Sequence, residues 1–493
     1  MEASPSAMLK ILLPKTPFIL KTALAHTLSL SETSSKWDLR TELYIKVMRS
    51  MLGPDTKPTP ISKAQRLTTK DPGIKGKMWI SKFSSPVDAT DEDVQDVRRL
   101  VLEAVDAMCT TDEQRNSYDK PPSRPLEAEW TGYRAKASDS DPEPPNLTEK
   151  DKYNKLVGET TTKVTTLYFH GGAMYLLDPV TYRNLTSRIA KETGGRVFSV
   201  RYRLAPQNPF PAALLDAFTA YLCLLYPPPG SQHDAIPAEQ IIFGGDSAGG
   251  MLCTALLQLL LQIRRSSSSS PPTVTWYGKT VPIPLPGGLA LISPWLDVTR
   301  SLPSIESLAK YDYLPPPSHA QHTRFPPCSA WPTNPPRADL YCEGAMLLHP
   351  LVSPLMARDW RGSPPVFFSL GEEMLRDEDA VLARRLDSQG VKVVWREFEA
   401  MPHVFAVMLD GTPVAEKHHE EFGAFCKGVL AVGGGGGGSD GVVFKAKKLK
   451  TENVLVKDVT RLTDEEVDEL CRKGMEDIIK KPGDAAAEAR PML

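Results

Sequence analysis

Paired cysteines are missing from this chain. Its seven cysteines are scattered, odd in number and without a single Cys-x-x-Cys. That spacing excludes a thiolate metal site of the usual kind and argues against a disulfide framework, so free thiols in a reducing compartment are expected. Charge of one sign is missing too. The formal net charge is −2, so no global field draws the chain to nucleic acid or to a strongly acidic substrate. No apolar run reaches the ~18 residues of a membrane span, and no internal repeat is visible. The first residues do not read as a signal peptide, because the apolar stretch from Met8 to Leu13 is short and Pro14 and Lys15 break it. The expected location is the cytoplasm, with membrane association left open. The glycosylation-type triplets Asn146-Leu147-Thr148 and Asn184-Leu185-Thr186 fit chance occurrence in such a chain.

What is present is an ordinary globular composition. Apolar residues make up 41% of the 493, enough for one large domain with extensions or for two to three smaller ones. The 45 prolines cluster in runs such as Pro227-Pro228-Pro229 and Pro315-Pro316-Pro317, which mark connections. Residues 17 to 30 mix apolar side chains with Lys21 and His26. They suit a buried or lid-forming helix better than one lying on a membrane, and peripheral membrane contact through this segment stays open. Residues 29 to 52 read as an amphipathic helix carrying Trp37, Leu39, Leu43, Val47 and Leu52, ended by Gly53-Pro54-Asp55. Strands are expected at Met78 to Phe83 and Leu126 to Ala135, and a helix over 91 to 108.

From residue 161 the pattern alternates. Strands are expected at 164–169, 196–202, 240–244, 287–293, 365–370 and 391–398, with helices between, which implies a mostly parallel sheet covered on both faces. Ser266 to Pro272 reads as a loop and 315 to 340 as a proline-rich insertion near the pocket mouth. The glycine run Gly433 to Gly438 reads as a flexible linker. A basic cluster follows, and Thr463-Asp464-Glu465-Glu466 is a capping box that opens a tail helix. The expected division is 1–160 for cap helices and edge strands, 161–430 for the core, and 431–493 for linker and tail. The tail is expected to be dispensable for chemistry.

The most informative stretch is Gly245-Asp246-Ser247-Ala248-Gly249, placed after the apolar Ile241-Ile242-Phe243-Gly244 and before a helix-like run. A serine between close glycines at a strand-to-helix turn is a nucleophile elbow. The turn is tight enough that side chains at 245 and 249 would collide with it. The serine hydroxyl then stands at a helix N-terminus, where free N–H groups await an oxyanion. About 75 residues upstream lies His170-Gly171-Gly172-Ala173, after the strand-like Val164 to Phe169. Further motifs are Tyr202-Arg203-Leu204-Ala205-Pro206, Ser293-Pro294-Trp295-Leu296-Asp297, Gly371-Glu372-Glu373-Met374-Leu375-Arg376-Asp377-Glu378 and His403-Val404-Phe405.

In this order these motifs resemble the hormone-sensitive-lipase-like branch of the α/β-hydrolase fold, over roughly residues 160 to 425. The resemblance implies an α/β-hydrolase fold with a helical cap and a serine hydrolase acting on carboxylic esters of short or medium acyl chains, acetyl esters included. Ser247 would be the nucleophile and His403 the base that takes its proton. The other histidines lie in proline-rich loops (His233, His319, His322) or in a polar helical stretch (His418, His419). The family's acid maps onto Glu373, where an aspartate is usual, with Asp377 and Glu372 as alternatives. A carboxylate there need only fix the imidazole tautomer and stabilise the imidazolium. The backbone N–H groups of Gly171, Gly172 and Ala248 would form the oxyanion hole, with Ala173 standing where the family has a third glycine. His170 would hold its loop, Asp246 would buttress the turn, and Tyr202, Arg203 and Asp297 would be structural. No metal and no dissociable cofactor is expected, and the partner is a small-molecule ester. Oligomeric state stays open. An amidase or formamidase of the same fold is the alternative enzyme. A catalytically silent ligand receptor, like the plant gibberellin receptors of this branch, is the alternative from another class.

Overall fold

The computed structural model describes residues 12–52, 58–86, 92–318, 325–431 and 438–480. The expected breaker Gly53-Pro54-Asp55, the glycine run up to residue 437, and His319 and His322 lie outside them.

Ten strands form one sheet, ordered β1-β2-β4-β3-β5-β8-β9-β10-β11-β12. In chain order these are β1 (Met78–Ser84), β2 (Glu127–Tyr133), β3 (Thr165–Phe169), β4 (Arg196–Val200), β5 (Ile241–Asp246), β8 (Gly288–Ile292), β9 (Val366–Gly371), β10 (Val393–Phe398), β11 (Asp440–Phe444) and β12 (Thr451–Val454). A separate hairpin holds β6 (Thr273–Trp276) and β7 (Lys279–Pro282). From β4 to β11 every pairing is parallel, and the antiparallel pairs lie at the two ends of the sheet.

The central strands are short, continuous and apolar because both of their faces are covered. Side chains alternate between two cores, as a period of two requires. Tyr168, Ile242, Ile292 and Phe367 pack with helices Pro179–Thr193 and Pro413–Ala431. Leu167, Phe169, Phe243, Leu291 and Phe368 belong to the larger core with helices Glu92–Met108, Ala212–Leu225, Ala248–Ser266 and Arg376–Ser388. The chain runs from β3 to β4 on one side, while β5 takes the other side of β3. That reversal is a topological switch point, where open α/β sheets place their ligand sites at the carboxyl ends of the strands. The His170 loop and Ser247 leave β3 and β5 there.

Three expectations change. The helix expected over 29–52 begins only at Leu39. The Asp38 carboxylate accepts the Thr41 N–H at 2.7 Å, and the serine-rich residues before it close local turns such as Ser34 Oγ to Ser31 O at 2.7 Å. The β6–β7 hairpin follows the Ser/Pro loop, turning through Tyr277 and Gly278 at φ +47° and +73°. The third change is the largest. Beyond the expected helix Asp464–Ile479, the tail supplies β11, paired in parallel with β10, and β12 at the sheet edge. Glu399 N–H donates to Phe444 O at 2.9 Å, Arg376 donates to Val459 O at 3.2 Å, and Arg385 pairs with Asp464 at 2.8 Å. The tail is part of the sheet and its packing, so the expectation that it is dispensable does not follow.

Candidate active site

β5 ends at Asp246, and Ser247 opens the helix Ala248–Ser266 at φ +50°, ψ −120°. A positive φ on a residue with a Cβ costs on the order of 1–3 kcal/mol and persists only where neighbours enforce it. Here they do. The Ser247 N–H donates to Ile292 O at 3.0 Å, and its carbonyl accepts from Trp295 at 2.9 Å and Met251 at 3.0 Å. The flanking glycines are required by space. A Cβ on Gly245 would lie 2.5 Å from the Gly249 carbonyl, and one on Gly249 would lie 1.9 Å from Phe169 O.

Glu373 follows β9 and His403 follows β10, both fully buried. The His403 Nδ1–H donates to Glu373 Oε2 at 2.5 Å. The other oxygen, Oε1, accepts from the Ser293 hydroxyl and from Gly371 N–H at 3.3 Å. Ser293 Oγ in turn accepts the Val404 N–H at 3.2 Å, so one hydroxyl joins the acid to the histidine loop. Gly371 allows the two loops to meet, because a Cβ there would stand 2.0 Å from Met401 O. Burial of the ring pulls the His403 pKa down. The charge and hydrogen bond of Glu373, with Asp312 and Asp246 behind them, outweigh it and hold the pKa above the ordinary 6.5.

Of the carboxylates from Glu372 to Asp379, Glu373 is the one bonded to a histidine. Glu372 accepts the Ala400 N–H at 3.0 Å, so adjacent glutamates grip the 400–403 turn at two points. The Asp377 carboxylate accepts the Ser304 N–H at 2.9 Å, and Glu378 accepts that of Leu296 at 2.5 Å. Asp379 is buried with neither oxygen bonded among the described residues, and burial, with the charges of Glu378 and Glu373, raises its pKa well above the usual carboxylate range.

The glycine loop differs from expectation. Gly171 N–H donates to Asp246 Oδ1 and to the Tyr182 hydroxyl, both at 3.1 Å, so it is engaged and does not face an oxyanion. Among the described residues nothing accepts from the N–H groups of Gly172, Ala173 and Ala248. Gly172, Ala173 and Met174 turn the loop with φ of +100°, +50° and +65°, so Ala173 takes a conformation that a glycine would hold more easily.

His170 is buried, stacks on Tyr202 with centroids 4.3 Å apart, and is held neutral by burial at a pKa of about 4. The Tyr202 hydroxyl donates to His170 O at 2.7 Å. Asp246 accepts from the hydroxyls of Tyr168 at 2.7 Å and Tyr182 at 2.8 Å as well as from Gly171, which ties the elbow to the glycine loop. Arg203 pairs with Asp216, and Asp297 accepts from Thr299 and Ser301.

Two residues at the site carry no sequence signal for their role. Ser293 lies in a noted motif, yet its bridge depends on φ +45° at that position. Asp312 lies in a loop that no motif marks. It is fully buried, accepts from Tyr313 N–H at 2.8 Å, and its pKa is raised to about 6 by burial and by the Glu373 charge, against the opposing pull of His403. His418 and His419, expected in a polar stretch, are both buried, with His418 Nδ1 2.6 Å from Ser369 Oγ. Among the described residues no group of three or more His, Cys, Asp or Glu could hold a metal.

A strand-elbow-helix serine, a Glu–His pair on neighbouring strand ends and a glycine loop across the switch point define an α/β hydrolase. The family model for the alpha/beta hydrolase fold matches residues 166–407. The chain has this fold and is similar to proteins of its hormone-sensitive-lipase-like branch. It is similar to an acetyl-hydrolase of Streptomyces hygroscopicus, 29% identical over 264 residues, which span 53% of this chain and 75% of that one. It is also similar to an esterase of Acinetobacter venetianus, 28% identical over 251 residues, which span 51% and 70%. Its fold is like that of a hormone-sensitive lipase from a metagenome library, with a TM-score of 0.52, 23% identity, and coverage of 80% of this chain and 99% of that one.

Proposed function

We propose that this carboxylic ester hydrolase cleaves short- and medium-chain acyl esters, acetyl esters among them, through an acyl-enzyme on Ser247. The observation that carries the reading is the buried 2.5 Å bond from His403 Nδ1 to Glu373. It leaves Nε2 as the acceptor for a hydroxyl proton. Ser247 Oγ attacks the acyl carbonyl and its proton passes to His403. Glu373 stabilises the imidazolium without taking the proton. The N–H groups of Gly172, Ala173 and Ala248 receive the developing oxyanion, each worth on the order of 3 kcal/mol in the transition state. The alcohol leaves with the proton from His403. Water then attacks the acyl-enzyme, with His403 again as base, and the carboxylic acid departs.

The preference for acetyl and other short acyl groups draws on the similarity to the Streptomyces acetyl-hydrolase and to an esterase. The test is a panel of p-nitrophenyl esters of graded acyl length with matching anilides. Hydrolysis of the short esters, lost in Ser247→Ala, supports the reading. Faster cleavage of anilides, or maximal rates on long acyl chains, contradicts it.

A further inference from the structure

The N-terminal cap carries a helix built inside out. Helix Thr16–Thr27 turns its polar side inward. Lys15, just before it, donates to Ser50 Oγ at 2.9 Å, Thr22 is buried, and His26 Nδ1 meets the fully buried Glu42 at 2.5 Å. Lys15, Ile19, Thr22 and His26 share one helical face, on which Ile19 is the one apolar side chain. The opposite face, at 13, 17, 20, 24 and 28, is apolar and open. Leu13, Leu20, Leu24 and Leu28 are 59%, 64%, 61% and 56% exposed. A helix on the surface of a soluble monomer has the reverse arrangement.

The exposed apolar side chains are concentrated in one stretch of the chain. Nine of the twelve exposed large hydrophobic side chains among the described residues lie between Leu13 and Leu67. Exposed apolar groups gathered in this way mark an interaction surface. The charge of that stretch is also distinct. Residues 12–70 hold ten Lys and Arg against four Asp and Glu, in a chain whose net charge is −2. Lys21 flanks the leucine face, Arg40 lies in the first turn of the next helix, and Lys63, Arg66 and Lys70 lie within four residues of the exposed Leu67; all five are exposed. Among the described residues no helix is long and apolar enough to cross a membrane.

We propose that this cap docks on an anionic lipid surface, with Leu20, Leu24 and Leu28 entering the headgroup–acyl boundary and the surrounding cations facing lipid phosphates. Apolar insertion combined with cationic attraction is how an interfacial helix holds to a bilayer. A second copy of the chain would bring another basic cap against this one, so the charge disfavours self-association. The docked surface would stand beside the catalytic loops. Arg49 donates to Asp312 O at 2.9 Å, Trp37 Nε1 donates to Ala400 O at 2.6 Å, and Gln65 donates to Tyr175 O at 3.0 Å in the glycine loop. The proposal does not depend on the serine chemistry.

The experiment is co-sedimentation of the full chain with phosphatidylcholine vesicles, with and without about one third phosphatidylglycerol. Wild type should bind the anionic vesicles, bind neutral ones much less, and partly release in high salt. The triple variant Leu20→Ser/Leu24→Ser/Leu28→Ser should lose at least about tenfold in partition at an unchanged melting temperature, because the replaced side chains are exposed. Leu455→Ser, at a leucine 61% exposed far along the chain, and Ser247→Ala should both bind as wild type. The proposal is overturned by equal binding to neutral vesicles, by a triple variant that binds like wild type, or by sedimentation equilibrium showing a wild-type dimer that the triple substitution dissociates.

Discussion

Replacing Glu373 with glutamine changes one atom and tests the acid in depth. In the wild type, Oε2 accepts the His403 Nδ1–H at 2.5 Å while Oε1 is occupied by Ser293 and Gly371. A glutamine that keeps its carbonyl oxygen toward Ser293 and Gly371 presents its amide to the ring. Nδ1 must then accept, Nε2 carries the hydrogen, and the base can no longer take the Ser247 proton. The imidazolium also loses its counter-charge. At about 3 Å and an effective dielectric near 20, that attraction is about 5 kcal/mol, or ~10³–10⁴-fold in kcat. Stopped-flow or steady-state hydrolysis of p-nitrophenyl acetate gives the magnitude, and a melting curve within a few degrees of wild type shows that the site is assembled. The pH profile supplies a second readout. A base whose pKa is held above 6.5 places the acidic limb of wild-type kcat/KM above that value, because His403 must be neutral to act. Without the Glu373 charge, burial dominates and the limb of any residual activity moves to lower pH. Asp377→Asn, whose carboxylate accepts the Ser304 N–H and pairs with Arg376 but meets no histidine, should keep activity within about threefold. A Glu373→Gln enzyme with near-normal kcat, or an Asp377→Asn enzyme that is dead, refutes the reasoning.

Truncation after Val432 removes β11 and β12 and, among the described residues, five buried side chains, Phe444, Val456, Val459, Val467 and Cys471. At ~1.5 kcal/mol each this costs about 5–10 kcal/mol, so the truncated protein should be insoluble or melt far below the full chain; a truncated form with wild-type melting and kcat contradicts the structure. Gly172→Ala would set a Cβ 2.4 Å from Leu176 O at φ +100°. It should lower kcat by ~10²-fold or more, measured on the acetyl ester, because the oxyanion loop must move. Ser293→Ala breaks the bridge between Glu373 and the Val404 N–H and should lower kcat about tenfold with KM nearly unchanged, since Ser293 acts through the acid and the histidine loop.

The sequence made the chemistry legible where it forced a backbone geometry. Gly245 and Gly249 have no room for a Cβ, so the elbow leaves its mark as residue identity. The central strands are legible because burial on both faces demands unbroken apolar runs such as Ile241-Ile242-Phe243. What escaped lacked such pressure. β11 is a half-buried five-residue strand beyond the glycine run, and β12, Thr451–Val454, is nearly all exposed, so neither shows a core pattern. The role of Gly171 depends on which way its N–H points. Asp246 and Tyr182 settle that, and they come from different elements. Asp312 and the Ser293 bridge depend on long-range packing that leaves no local periodicity. Glu373 was legible only through register with a family motif, because Glu372 precedes it, three further acids follow within six residues, and only the fold separates their partners.

The central claim is that Ser247 is the nucleophile activated by a His403–Glu373 pair. Intact-mass and peptide mass spectrometry after treatment with a fluorophosphonate test it most directly. One adduct per chain is expected, on Ser247, formed rapidly in the wild type, absent in Ser247→Ala, and slowed by orders of magnitude in Glu373→Gln. No adduct on the folded wild-type protein, or an adduct on another residue that persists in Ser247→Ala, would contradict it.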